Sequence, residues 1–235
     1  PGPFDQEPCK VGHMRGRVQP SWLLTIASLP SPLVQRSGAS MGASEPALWL
    51  ELADTELEIV TRVWIDTVVV GLNLCPFAQK VRGDPSRVVI ARTESDCAPL
   101  DMVRGEVERL ARLDPDEPAT TFILLPDEAI ADFDEYMERI ARPAEELADQ
   151  ASGGSVQVVF FHPRASWGDA AESDAAQYTT RSPVPMLHLL RSRDIERAED
   201  AWVAQHEHAR GGIPDIQAVN AAYLRGIGTA RARAL

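Results

Sequence analysis

Two short runs constrain this chain more than any others. They are TTFILLP, Thr120 to Pro126, and SVQVVFF, Ser155 to Phe161. Both are rich in β-branched and aromatic residues, and both are apolar at nearly every position. A strand with one wet face alternates apolar and polar residues. A near-continuous apolar run instead predicts a strand covered on both faces, as in parallel sheets between helix layers. RVVIAR, Arg87 to Arg92, predicts a third, shorter strand ahead of them.

Helical periodicity fills the intervals. Thr55-Glu56-Leu57-Glu58 has the form of a capping box. Leu57, Val60, Trp64 and Val68 then recur at helical spacing until Gly71 and Pro76 stop the helix. Leu100, Val103, Val107 and Leu110 share one face between Pro99 and Leu113. Ala129 to Gln150 reads as helical with Pro143 dividing it, and Gly153-Gly154 turns the chain. Asp194 to His208 and Ile213 to Leu224 read as two further helices, and TARARAL as a frayed end. The expected fold is α/β: a small sandwich of a three-stranded sheet, largely parallel or ferredoxin-like mixed, with about five to six helices.

Composition divides the chain. From Pro8 to Ser44 there is no Asp or Glu, while Lys10, Arg15, Arg17 and Arg36 are basic. This acid-free, Ser- and Pro-bearing segment suits either an organelle transit peptide or a disordered leader, so residues 1–44 are set apart from a single α/β domain over 45–235. The whole chain carries a net charge of −12, and its acid is concentrated in that domain. Phosphate backbones select basic faces, so no nucleic-acid partner is expected. No apolar run reaches membrane-spanning length, so no membrane partner is expected either. Three cysteines, Cys9, Cys75 and Cys97, form no CxxC pair and no disulfide framework, which predicts a soluble protein of a reducing compartment: cytoplasm, or an organelle if the leader is a transit peptide.

Three pieces carry candidate chemistry. In GLNLCPFAQK, Gly71 to Lys80, a cysteine directly precedes a proline where a helix ends. Cys75 is there a buried filler, a nucleophile needing His162 or His188 as base, or a metal ligand beside both histidines. A helix C-terminus raises a thiol pKa, which opposes an activated thiolate. Asn73 suits a left-handed helix cap. His162 leaves the third strand directly, with Pro163 restricting the chain beyond it. It stands where strand C-termini of an open α/β sheet gather ligands. In YTTRSPVPMLHLLR, Tyr178 to Arg191, Ser182 and Pro183 have the form of a helix start. On that reading His188 faces away from the stripe of Met186, Leu187, Leu189 and Leu190. Arg181 then adds a guanidinium to a helix N-terminus, a combination that holds anions.

These pieces, GLNLCPFAQKV, FFHP and YTTRSPVPMLHLLR in this order, resemble the family catalogued as domain of unknown function 1415. The resemblance spans roughly Leu57 to Leu224. It implies a bacterial-type soluble domain that also occurs in eukaryotes, and it implies no particular activity. The family positions map onto Asn73, Cys75, His162, Tyr178, Arg181, Ser182, His188 and Arg191, among others. Arg164, Ala165, Ser166 and Trp167 depart from the family pattern after the His-Pro pair, as do Thr180 and Val184.

Two functions follow as expectations. One is an enzyme acting on a small anionic substrate. Its catalytic groups would be His162, His188 and Cys75, and Arg181, Arg191, Ser182 and Tyr178 would hold the substrate. The other is a non-catalytic binding or assembly protein with a structural Cys-Pro pair and a structural Arg-Ser-Pro motif. No GxGxxG, P-loop, GxSxG or HExxH occurs, and the sequence names no cofactor or metal.

Overall fold

The structure is a computed structural model, and it describes residues 47–78, 86–92, 97–168, 171, 173–208 and 214–235. The leader, and with it Cys9, Lys80, Arg82, Thr93, Glu94, Asp169 and Glu172, lies outside the described residues.

Helix α1, Asp54–Trp64, starts just ahead of the predicted box. Glu56 reaches back to accept the Ala53 backbone N–H at 2.8 Å, so the carboxylate half of a capping box is present with Ala53 at the cap. The helix widens into a π turn, Ile65–Val70, and stops. A side chain at Gly71 would stand 2.3 Å from the Thr67 carbonyl oxygen, so only glycine fits that close approach. Asn73 follows in the left-handed region at φ 53°, the conformation expected of it.

The sheet has four strands where three were expected. They are β1, Ser86–Ile90; β2, Thr120–Leu124; β3, Val156–Phe161; and β4, Met186–Arg191. Their spatial order is β1-β2-β4-β3. β1 runs parallel to β2, and β4 is antiparallel to both β2 and β3. The three expected strands therefore share one direction, and the sheet is mixed because β4 inserts between the second and third.

The addition corrects the predicted helix at Ser182 to Arg191. Ser182 and Val184 each precede a proline, and a residue before proline is driven out of the helical region. The Ser182 hydroxyl caps nothing and donates instead to the Val184 carbonyl at 2.7 Å. All six β4 residues are buried, because a central strand is covered on both faces.

One face of the sheet lies under α2, Cys97–Arg112, and α4, Arg142–Ser152. Val103, Val107, Leu110, Leu147 and Ala148 pack there against Ile123, Phe160, Leu187 and Leu189. A short helix α3, Phe133–Tyr136, and a π turn, Met137–Ala141, lead without a break into α4, so the predicted division at Pro143 takes the form of a π turn just ahead of it. The opposite face lies under α1 and its π turn, through Leu57, Trp64 and Val68, and under α5, Ser192–His206, through Ile195 and Ala198. The result is helices, sheet, helices.

The last two helices, α6, Ile216–Ile227, and α7, Thr229–Arg233, form a small unit of their own. Leu224 and Ala232 pack on Ala175, which belongs to a 3₁₀ turn, Ala175–Thr179. Arg225 grips Asp174 through Nε at 3.0 Å and Nη2 at 2.8 Å. That hydrogen-bonded guanidinium holds the Asp174 carboxyl below its ordinary range. TARARAL, read as a frayed end, thus contains a docked helical turn.

Candidate functional site

Because β1, β2 and β3 share a direction, their C-terminal ends lie on one edge, and the start of β4 returns to it: Met186 is opposite both Leu124 and Phe161. The segments leaving β3 and approaching β4 meet there. His162 donates its backbone N–H to the Thr180 carbonyl at 3.2 Å.

Beside this edge lies an open cleft of about 820 Å³. One wall is α1 and the π turn after it, through Val60, Val63, Trp64 and Thr67. A second is the edge itself, through Pro163, Arg164, Tyr178, Arg181, Ser182 and Pro183. The third is the α7 segment, through Ala232, Arg233 and Leu235. Among the described residues three arginines line it and no acidic side chain does, in a chain whose net charge is −12.

The arginines are held by their neighbours. Arg181 lies 4.5 Å over the Tyr178 ring and donates from Nε to the Ala165 carbonyl at 3.1 Å. Arg164 donates from Nη1 to the Ala131 carbonyl at 3.2 Å. A carbonyl acceptor orients a guanidinium, and its planar fork of donors matches carboxylate or phosphate geometry. Arg233 is exposed on α7. The loop beneath them is stitched to itself. Trp167 donates from Nε1 to Thr180 Oγ1 at 2.8 Å, and Gln177 accepts the Trp167 N–H at 2.9 Å and returns a bond to its carbonyl at 3.1 Å.

The structure brings Tyr178, Arg181 and Ser182 together in this cleft and places the other candidates elsewhere. His162 is buried behind the edge among Trp49, Phe133 and Tyr136. Its Nδ1 accepts the Arg164 N–H at 3.0 Å, so Nε2 carries the proton and donates to the Ile130 carbonyl at 3.1 Å. Burial, with a contribution from the Arg164 charge, pushes its pKa down to about 4. His188 lies in mid-sheet, stacked on Phe122 with ring centroids 4.0 Å apart. Thr120 donates its hydroxyl to the Leu189 carbonyl at 2.6 Å, so it accepts the 2.7 Å bond from His188 Nε2. Burial pushes the His188 pKa down to about 3.

Cys75 is half-buried on the α1–α5 side of the sheet, where it packs against both apolar clusters. Burial pushes its thiol pKa up, against the lowering bonds from the Ala78 and Phe77 backbone. Among the described residues no group of three or more His, Cys, Asp or Glu is placed to hold a metal ion. Arg191 stands at the far edge of the sheet. It bonds Asp194 at 2.6 Å, the Asp114 carbonyl at 2.8 Å and the Glu117 carbonyl. Arg164 and Arg233 complete the cleft and were not among the expected site residues. Arg164 carried a signal, since it replaces the family pattern directly after His162-Pro163. Arg233 carried none, because no local pattern says that a C-terminal turn folds back onto α1.

The fold and cleft together describe a mixed α/β protein with an arginine-lined depression at the strand-terminal edge of its sheet. The chain belongs to the family described as protein of unknown function (DUF1415), which it matches over residues 56–233. No curated protein and no solved structure matches it. No helix among the described residues is long and apolar enough to cross a membrane.

Proposed function

We propose that the protein binds a small anionic molecule in this cleft, with Arg164, Arg181 and Arg233 supplying charge and hydrogen-bond donors and Tyr178 holding Arg181 in place. One observation carries the reading: among the described residues, every charged side chain that lines the cleft is a guanidinium, in a chain where acid outnumbers base by 35 to 23. Clustering like charge costs self-repulsion, which an anion relieves. Binding is favoured over catalysis by the expected groups. His162 and His188 are neutral at physiological pH, each is held through its ring, and the Cys75 thiol is raised. None of the three lines the cleft.

Calorimetric titration with sulfate, whose charge is constant near neutrality, tests this. One saturable site per chain is expected, with affinity level from pH 6 to 8 because arginine does not titrate there. Arg233→Ala should weaken binding about tenfold, as loss of one charge-assisted bond does. Absent saturation in the parent, or an unchanged affinity in Arg233→Ala, sinks the proposal.

A further inference from the structure

The cleft is asymmetric, and the asymmetry deepens the anion-binding reading on which this inference rests. Its cationic groups stand on the edge loops and on α7, whereas α1 faces them with Val60, Val63 and Trp64. Val63 is 54% exposed and Ile59, one helical turn earlier, is 62% exposed. Isolated exposed apolar residues need no explanation, but two adjacent ones that continue the lining of a cationic cleft make a stripe leading out of it. Leu235, 44% exposed, borders the same cleft from the other side. A fully hydrated inorganic anion would use the arginines and leave this apolar wall in water. We infer that the ligand is an amphipathic anion, with a carboxylate or phosphate head at Arg164, Arg181 and Arg233 and an aliphatic chain laid along Val60, Val63 and Ile59.

Binding then has two separable parts. The head is held by charge and directed hydrogen bonds and is largely insensitive to what it carries. The chain gains by removing apolar surface from water, in proportion to its length while it stays on the stripe. Full burial of a methylene is worth about fourfold in affinity, and burial against one helix face about half that factor.

The test measures affinities of the full chain for ethyl, butyl and hexyl phosphate, for the matching alkanoates, and for hexanol, all below micellar concentration. The expected result is a gain of roughly twofold per added methylene in at least one anionic series, with hexanol not binding. The series that binds tighter identifies the head. Ile59→Asn is the control, since it lies on the stripe beyond the cleft lining and an exposed position tolerates the change. It should retain the parent's affinity for sulfate and reduce the gain with chain length. Affinity independent of chain length, chain-length dependence unaltered in Ile59→Asn, or hexanol binding as tightly as the anions overturns the inference. If sulfate still binds under any of those outcomes, anion binding stands and the aliphatic chain falls. If sulfate does not bind either, both fall.

Discussion

At the scale of single residues, the two histidines of the motifs act as uncharged struts. His162 ties the β3 exit to the 127–132 loop through Ile130, and His188 bridges β4 to β2 through Thr120. Both folded-state pKa values lie below the ordinary histidine value of 6.5, at about 4 and about 3. The sign follows from linkage. Above pH 6.5 both states are neutral and the stability is full. Below it the unfolded chain takes up protons that the fold refuses, so stability falls as pH drops toward 4 and then 3. The shifts correspond to about 3 and about 5 kcal/mol, comparable with the stability of an ordinary domain. His188→Phe, which keeps the stack on Phe122, should flatten the decline by up to ~1.4 kcal/mol per pH unit. Urea midpoints from pH 7 to 4 measure it, and parallel curves for parent and variant would count against burial as the cause.

At the scale of elements, β4 matters most, and Arg191 shows how it is secured. This residue ends the strand, starts α5 and is 3% exposed, as is Asp194. Its bonds to the Asp114 and Glu117 carbonyls also close the loop between α2 and β2. Removing Arg191 leaves the buried Asp194 carboxylate with only the longer, 3.8 Å pair to Arg197. Arg191→Leu should therefore cost about 3–5 kcal/mol in urea unfolding, while Arg191→Leu with Asp194→Leu should recover part of that loss. A double variant as unstable as the single would show that the carbonyl bonds, and not the buried charge, dominate. The sequence pattern at β4 misled for a physical reason. A fully buried strand shows no alternation, so MLHLLR satisfies helical spacing as well as any helix does. The Pro-Val-Pro ahead of it, which forces extended backbone, was the better signal.

At the scale of the molecule, the cleft exists because α6 and α7 return to the edge of the sheet. They are attached through Leu224 and Ala232 against Ala175, Arg225 on Asp174, Thr229 on the Ser173 carbonyl and Asn220 on the Leu74 carbonyl. Leu224→Ala should loosen that attachment by about 2–5 kcal/mol. Hydrogen exchange should rise across α6 while β2 and β4 keep their protection, and sulfate affinity should fall, because Arg233 leaves with the unit. Exchange rising equally in the sheet would mean that the helices and the core unfold as one.

The chain's own pattern determined what short-range physics determines. The apolar runs at 120–126 and 155–161 became β2 and β3, the Leu57 to Val68 stripe became a helix against the sheet, and Asn73 took the left-handed cap. The clustering of Tyr178, Arg181 and Ser182 was legible because they are neighbours in sequence. Tertiary structure decided the rest. It put β4 between β2 and β3, turned His162 and His188 inward, sent Arg191 to the far edge and brought Arg233 across to Arg181. Strand order and long-range closure depend on which apolar faces find each other across the folded core, and a side chain's charge state depends on the water it loses there. Neither quantity is written in local spacing.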